Sequence, residues 1–205
     1  MTVNRDLTVT VPTPVGNMHY VKKGSGYPLV LLHPLGTSTW AWHTVIDSLS
    51  QHFTCYAFDM LGHGKSDNPN RHFNIPDHAQ ALDHACRALN IGRGHVVGNS
   101  VGAILAAETA ASFPERLDKL VLIGCPVWDS FTARQRLMET ASGYDGQGMP
   151  KIRSIQEMKE ATTFAEPKQE WVDAMNGTRA QAGLWVGKLM ESLANYDVMS
   201  RLPRI

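Results

Sequence analysis

The 205-residue sequence predicts an α/β architecture: a mostly parallel sheet with helices on both faces, followed by a purely helical segment. Two observations carry this. Up to residue 124, short apolar runs alternate with stretches of helical period, the signature of strands linked by helical crossovers. From Pro126 onward that rhythm stops and no strand-like run follows.

The elements follow in order. Residues 7–13, "LTVTVPT", alternate and are rich in β-branched side chains. After Pro14, Val15, Gly16 and Asn17 comes "MHYVKKG" (18–24), giving strand, turn, strand in an antiparallel pair. "PLVLLH" (28–33) is continuously apolar, as suits a strand covered on both sides. Trp42, Val45, Ile46 and Leu49 fall on one helical face, and Ser38 or Thr39 is placed to cap that helix. "FTCYAFD" (53–59) is a strand, and "MLGHGKSDNP" is loop. Pro76 opens a helix with Ala79, Leu82, Cys86 and Leu89 inward and Gly92 at its end. "HVVGN" is a strand, "VGAILAAETAASF" a helix stopped by Pro114, and residues 117–124 a strand. Beyond Pro126, "TARQRLMETA", "SIQEMKEATTF", "KQEWVDAMNGTRA" and "GLWVGKLMESLANYDVM" read as helices. The expected organisation is a core over 1–125 and a helical insertion or lid over 126–199, with residues 200–205 after it.

Composition excludes several classes. Nineteen basic and nineteen acidic residues leave a formal net charge of zero, with no basic cluster to suit nucleic acid. No apolar run approaches the roughly 20 residues of a membrane span, and the N-terminus lacks a signal-peptide pattern, so the expectation is a cytoplasmic protein with no membrane partner. Cys55, Cys86 and Cys125 have no metal-ligand spacing and read as reduced thiols. Nothing calls for a metal or an organic cofactor.

Chemistry concentrates in "GNSVG", Gly98 to Gly102, between a predicted strand and a predicted helix. A strand–turn–helix corner holds a serine at positive φ and projects its hydroxyl clear of the backbone. Side chains two residues away on either side would collide, so glycines belong there. The helix start aims unpaired N–H groups at the corner, where an oxyanion would be stabilised. GxSxG alone is a weak signal; its placement between strand and helix strengthens it.

With that corner, "LVLLHPLGTS" (29–38), "DMLGHGKSD" (59–67) and "FPERLDKLVLIG" (113–124) stand in the order and spacing of one family: the sequence resembles the α/β-hydrolase fold family, over most of residues 28–126. The resemblance implies that Ser100 is the nucleophile and that the N–H groups of Leu35 and Val101 form the oxyanion hole. The family's usual His-Gly is His33-Pro34 here; proline has no N–H, but Leu35 retains one. His33 is expected to be a structural hydrogen-bonder, and His63 is assigned no chemistry. A serine at the elbow argues against members that use a carboxylate nucleophile.

The family's order is serine, acid, histidine. The nine histidines, at 19, 33, 43, 52, 63, 72, 78, 84 and 95, all precede Ser100. "YDVMSRLPRI" (196–205) resembles the linker back to the family's sheet, which implies that 200–205 is the start of a return linker; the chain is therefore read as an N-terminal portion of a larger protein, inactive alone, with acid and histidine expected beyond residue 205. Asp129 is a second candidate for the acid, or else an N-cap of the lid. Six of nine methionines lie after Pro126, with Trp128, Trp171 and Trp185. They suggest an apolar pocket, with Trp128 the candidate wall, or simple packing of lid helices.

The expected activity is hydrolysis of a small, largely apolar substrate, first a carboxylic ester. Carbon–carbon hydrolysis of a ring-cleavage product is the alternative within the enzyme class. A non-catalytic small-molecule binder or receptor on the same fold is the alternative outside it. Oligomeric state is left open.

Overall fold

The computed structural model describes residues 9–145, 147, 149–161 and 166–205. Strands β1 (Val9–Thr13) and β2 (Gly16–Lys23) pair antiparallel across a turn at Pro14 and Val15, with Thr13 opposite Gly16. Residues 7 and 8 of the predicted first strand lie outside the described residues. β3 (Tyr27–Leu32), β4 (Phe53–Phe58), β5 (Gly94–Asn99) and β6 (Leu117–Ile123) complete a six-stranded sheet in the order β1-β2-β4-β3-β5-β6. The β2–β4 pair is antiparallel; β4–β3, β3–β5 and β5–β6 are parallel.

The apolar run of β3 serves both faces of this sheet. Leu29 and Leu31 join a cluster with Trp42, Ile46, Cys55 and Ala57. Val30 and Leu32 point the other way, into the main core with Tyr56, Phe58, Val96 and helices α2 (Ile75–Ala88) and α3 (Val101–Ser112). Because β4 flanks β3 on one side and β5 on the other, chain order reverses between β3 and β5. In open α/β sheets, ligands bind outside the carboxyl ends of the strands at such a switch point.

Two predicted helices differ in detail. The stretch between β3 and β4 is a 3-10 turn (Thr39–Trp42) and a separate short α1 (Ile46–Leu49). The break resets the helical phase, so Trp42 and Ile46 are buried while Val45 is exposed. Ser38 caps the first piece, its hydroxyl accepting from Trp40 N at 3.2 Å. α2 has the predicted buried face, with Ala79, Leu82 and Cys86 inside, and a reciprocal cap between Asn74 and Asp77. It ends at Ala88, before Gly92. Asn90, at φ 54°, makes the left-handed turn, a conformation asparagine tolerates better than most residues.

After β6 the chain is helical: α4 (Ser130–Ser142), α5 (Ile155–Ala161), α6 (Gln169–Ala182) and α7 (Leu184–Ala194) fall in the four predicted stretches. Residues 162–164 of the second stretch lie outside the described residues. α7 returns to the core through Leu189, Met190 and Leu193, and Ser192 donates to Phe73 O at 2.7 Å. Glu108, on the helix that follows Ser100, anchors the segment after α7. Its carboxylate accepts two hydrogen bonds from Arg201, at 2.7 and 2.8 Å, and others from Tyr196 and Ser112. Burial alone would raise the Glu108 pKa, but these donors hold it below the usual carboxylate value. β6 forms the far edge of the sheet, with Val121 and Ile123 exposed. Cys55 and Cys86 are buried, Cys125 is partly so, and all three are unpaired. No helix among the described residues is long and apolar enough to cross a membrane.

Candidate active site

Ser100 stands between β5 and α3 with φ 56° and ψ −119°, a strained conformation for a residue with a side chain. Its neighbours impose it. A Cβ on Gly98 would lie 2.1 Å from Gly102 O, and one on Gly102 would lie 2.3 Å from Leu32 O and 2.7 Å from His33 O. The corner therefore closes only with backbone against backbone, and the start of α3 is seated on the exit of β3. Ser100 N–H donates to Ile123 O at 2.9 Å, pinning the corner to the end of β6. The hydroxyl makes no hydrogen bond among the described residues.

The loop leaving β3 is organised by two buried groups. His33 is fully covered. Its Nε2 accepts from Met60 N at 3.0 Å, so the proton sits on Nδ1, which donates to Pro34 O at 2.8 Å. Burial lowers its pKa, outweighing the opposing pull of Asp59. Both nitrogens are engaged, so His33 is the structural hydrogen-bonder that the sequence suggested. Pro34 O also accepts from the Thr37 amide and hydroxyl, at 3.3 and 2.9 Å. The amides of Leu35 and Val101 make no hydrogen bond among the described residues, so both are unengaged donors.

The second group, Asp59, received no role from the sequence beyond its place in the loop motif. It is 1% exposed at the end of β4 and accepts from Thr39 N at 2.5 Å, Lys65 N at 2.9 Å and His19 Nδ1 at 2.7 Å. Burial pushes its pKa up, but the His19 bond, His33 and the two amides outweigh that and hold it below the ordinary carboxylate value. Asp59 thus ties together β2, the loop after β3 and the glycine-rich loop after β4. No sequence signal reveals this, because two of its three partners are backbone amides.

His63 is 1% exposed and neither ring nitrogen has a partner among the described residues. Burial, with His33 and His78 adding to it, pushes its pKa down to about 3. Asp129 is exposed and caps α4: its carboxylate accepts from Thr132 N at 2.7 Å, which lowers its pKa, and its carbonyl accepts from Ala133 N. Trp128 is half-buried against the main core and lines a cavity of about 310 Å³ with Pro126, Ala133 and the end of α7. Ser100 is not among that cavity's lining residues. Among the described residues, no group of three or more His, Cys, Asp or Glu side chains is placed to hold a metal ion.

A serine on a strained strand-to-helix corner, next to a topological switch point of the sheet, is the geometry of a nucleophile elbow. Comparison with known proteins agrees. Residues 27–189 match the family model of the alpha/beta hydrolase fold, and the chain belongs to that family. It is 32% identical over 190 residues to a 2-hydroxy-6-oxo-2,4-heptadienoate hydrolase of Pseudomonas putida, covering 78% of this chain and 67% of that one. It is 36% identical over 100 residues to an uncharacterised protein of Mycobacterium tuberculosis, covering 49% of this chain but only 29% of that one, so it spans under a third of that relative's length. The crystal structure of a hydrolase from Pseudomonas aeruginosa PA01 superposes with a TM-score of 0.75 at 22% identity, over 98% of this chain and 78% of that one, a likeness of fold.

Proposed function

We propose that the intact protein is a serine-nucleophile hydrolase of a small, largely apolar substrate, in the first instance a carboxylic ester. The single observation that carries this reading is the Ser100 backbone, held at φ 56° by two glycines that admit no side chain. In the proposed course, Ser100 Oγ attacks the acyl carbon and its proton passes to a general base. The N–H groups of Leu35 and Val101 hold the resulting oxyanion. Collapse expels the alcohol, protonated as it leaves, and water then releases the acid and regenerates the serine. None of the nine histidines is assigned as the base, since all precede Ser100 and His33 has both nitrogens engaged. Asp129 is only the second candidate for the acid, since its carboxylate is engaged as the cap of α4, and Trp128 is the candidate pocket wall. Helices α4 to α7 are read as the lid.

A second reading, carbon–carbon hydrolysis of a ring-cleavage product, is favoured by the relative of Pseudomonas putida, whose name describes a dienoate hydrolase. Both readings use Ser100 in the same way and differ in the bond broken. A non-catalytic binder would keep the corner without turnover.

A fluorophosphonate probe is expected to label the full-length protein at Ser100 and to leave Ser100→Ala unlabelled. An unlabelled wild type with its fold intact would contradict the catalytic reading and favour the binder. Parallel assays on 4-nitrophenyl esters and on a 2-hydroxy-6-oxo-dienoate separate the two hydrolytic readings.

A further inference from the structure

Above the loop that follows β3, the helical segment covers two polar groups that have no hydrogen-bond partner among the described residues. Arg179 of α6 has a buried Nε without a hydrogen bond, and the hydroxyl of Tyr144 is likewise buried and unbonded. The guanidinium carbon lies 5.6 Å from the centre of the Tyr144 ring. The other ionic neighbour of Arg179 is Arg153, which carries the same charge. Arg153 is held at its backbone by the Asn176 side chain, through bonds of 3.0 and 2.8 Å. The acid facing Arg153 is Glu157, whose carboxylate is already engaged by the amide and hydroxyl of Ser154. Neither arginine has a carboxylate within 4 Å among the described residues. Burial pushes the Arg179 pKa down, Tyr144 opposes that, and Arg153 adds to it.

Arg179 is only partly buried, but its Nε is an orphaned buried donor, and such a donor calls for a partner. The position of this one suggests which. An ideal Cβ on Gly36 would stand 3.3 Å from Arg179 Cγ, and the neighbouring Thr178 hydroxyl donates to Gly36 O at 3.2 Å. Gly36 directly follows Leu35, whose amide is one of the two proposed oxyanion donors. The stem of Arg179 is therefore packed on the loop that carries the proposed Leu35 donor, with its guanidinium beside the Tyr144 ring.

We propose that Arg179 and Tyr144 form an anion subsite that takes a carboxylate carried by the substrate. The planar guanidinium fork matches the two oxygens of a carboxylate, and the Tyr144 hydroxyl supplies a further donor. The substrate is then an apolar acyl compound with one anionic end. This rests on the hydrolase reading of Ser100, but carboxylate binding can be measured without turnover.

Two esters of matched length make the test: the mono-4-nitrophenyl ester of adipic acid and 4-nitrophenyl hexanoate. Arg179→Gln is expected to lower kcat/KM for the adipate ester by about 10- to 100-fold and to leave the hexanoate ester unchanged. Tyr144→Phe, which removes only the hydroxyl, is expected to lower it by about 3- to 10-fold, again on the adipate ester alone. Adipate itself should raise the Tm of Ser100→Ala, and should fail to do so once Arg179→Gln is added. Equal losses on both esters together with a lower Tm would make Arg179 structural and overturn the subsite, as would a Tm indifferent to adipate. If adipate raises the Tm while neither ester is hydrolysed, the subsite stands and the hydrolase reading falls.

Discussion

The sheet around Ser100 and the helices after β6 hold their shapes by different means. At the corner, backbone meets backbone: Gly98 against Gly102, Gly102 against Leu32 and His33, and Ser100 N–H on Ile123 O. In the helical segment the fixing groups are side chains, and much of its apolar surface faces solvent, with Phe131 76%, Met138 68% and Ile152 83% exposed. The difference separates two kinds of control. On the proposed reading, a change at the corner is expected to displace Ser100 for every substrate, and a change in the helices to alter which substrate is held, as Arg179→Gln is designed to test.

The largest effect should therefore come from the smallest added group. Gly102→Ala sets a methyl 2.3 Å from Leu32 O, where no flexible side chain can yield. It is expected to cost about 3 kcal/mol or more and to abolish Ser100 labelling, as read by thermal melting and the fluorophosphonate probe. Gly187→Ala, inside α7 with nothing within 4 Å of the added group, is the matched control and should be neutral or slightly stabilising. If Gly102→Ala keeps both its Tm and its labelling, the corner is not held by contact with the β3 exit.

The corner was legible because its constraint is local. Gly-x-Ser-x-Gly between a strand and a helix states, within five residues, that one residue turns sharply and two others leave room. The strands were legible for a similar reason: β3 is apolar throughout because both its faces are covered. What escaped depends on partners far apart in the chain. Arg179 and Tyr144 are 35 residues apart in sequence, and neither carries a mark of the other. Asp59 is a hub through backbone amides, which every residue but proline possesses. The methionines divide, Met158 and Met190 buried and Met138, Met149 and Met199 exposed, so their number alone does not define a pocket wall. α1 separated from the preceding turn because a 3-10 piece shifted the phase on which its periodicity was read.

A smaller effect should come from acid. His63 and His78 are buried, and desolvation pushes their pKa values down to about 3 and about 4; His33 is lowered as well. Around them lie Asp59, whose negative charge favours protonation of His33 and His63, Asp77, which favours it at His78, and His72, which opposes it there. Each histidine is neutral when folded and titrates near 6.5 when unfolded, so below that value the unfolded chain binds more protons. Stability is then complete above about pH 6.5 and falls steadily as the pH drops toward the folded values. The expected loss of Tm between pH 7 and pH 5 is on the order of 10 °C. His78→Gln should reduce the pH slope by about one proton. A Tm that is flat across this range would show that these rings take up protons without unfolding the core.

The smallest effect on stability tests where the corner's control ends and the helices begin. Asp129 follows β6 and opens α4, so it belongs to both regions. Its carboxylate is exposed and accepts from Thr132 N, a bond that an asparagine side-chain oxygen can also accept. Asp129→Asn should therefore change stability by no more than about 0.5 kcal/mol, and any larger consequence must come from the lost charge. If Asp129 were the acid that orients a catalytic base, the same substitution would cut turnover of the full-length protein by about 10⁴-fold, because the base would be held in the wrong tautomer. The cap geometry leads us to expect unchanged turnover with a nearly unchanged Tm. A collapse of turnover at constant Tm would move Asp129 from the helices' side of the comparison to the corner's.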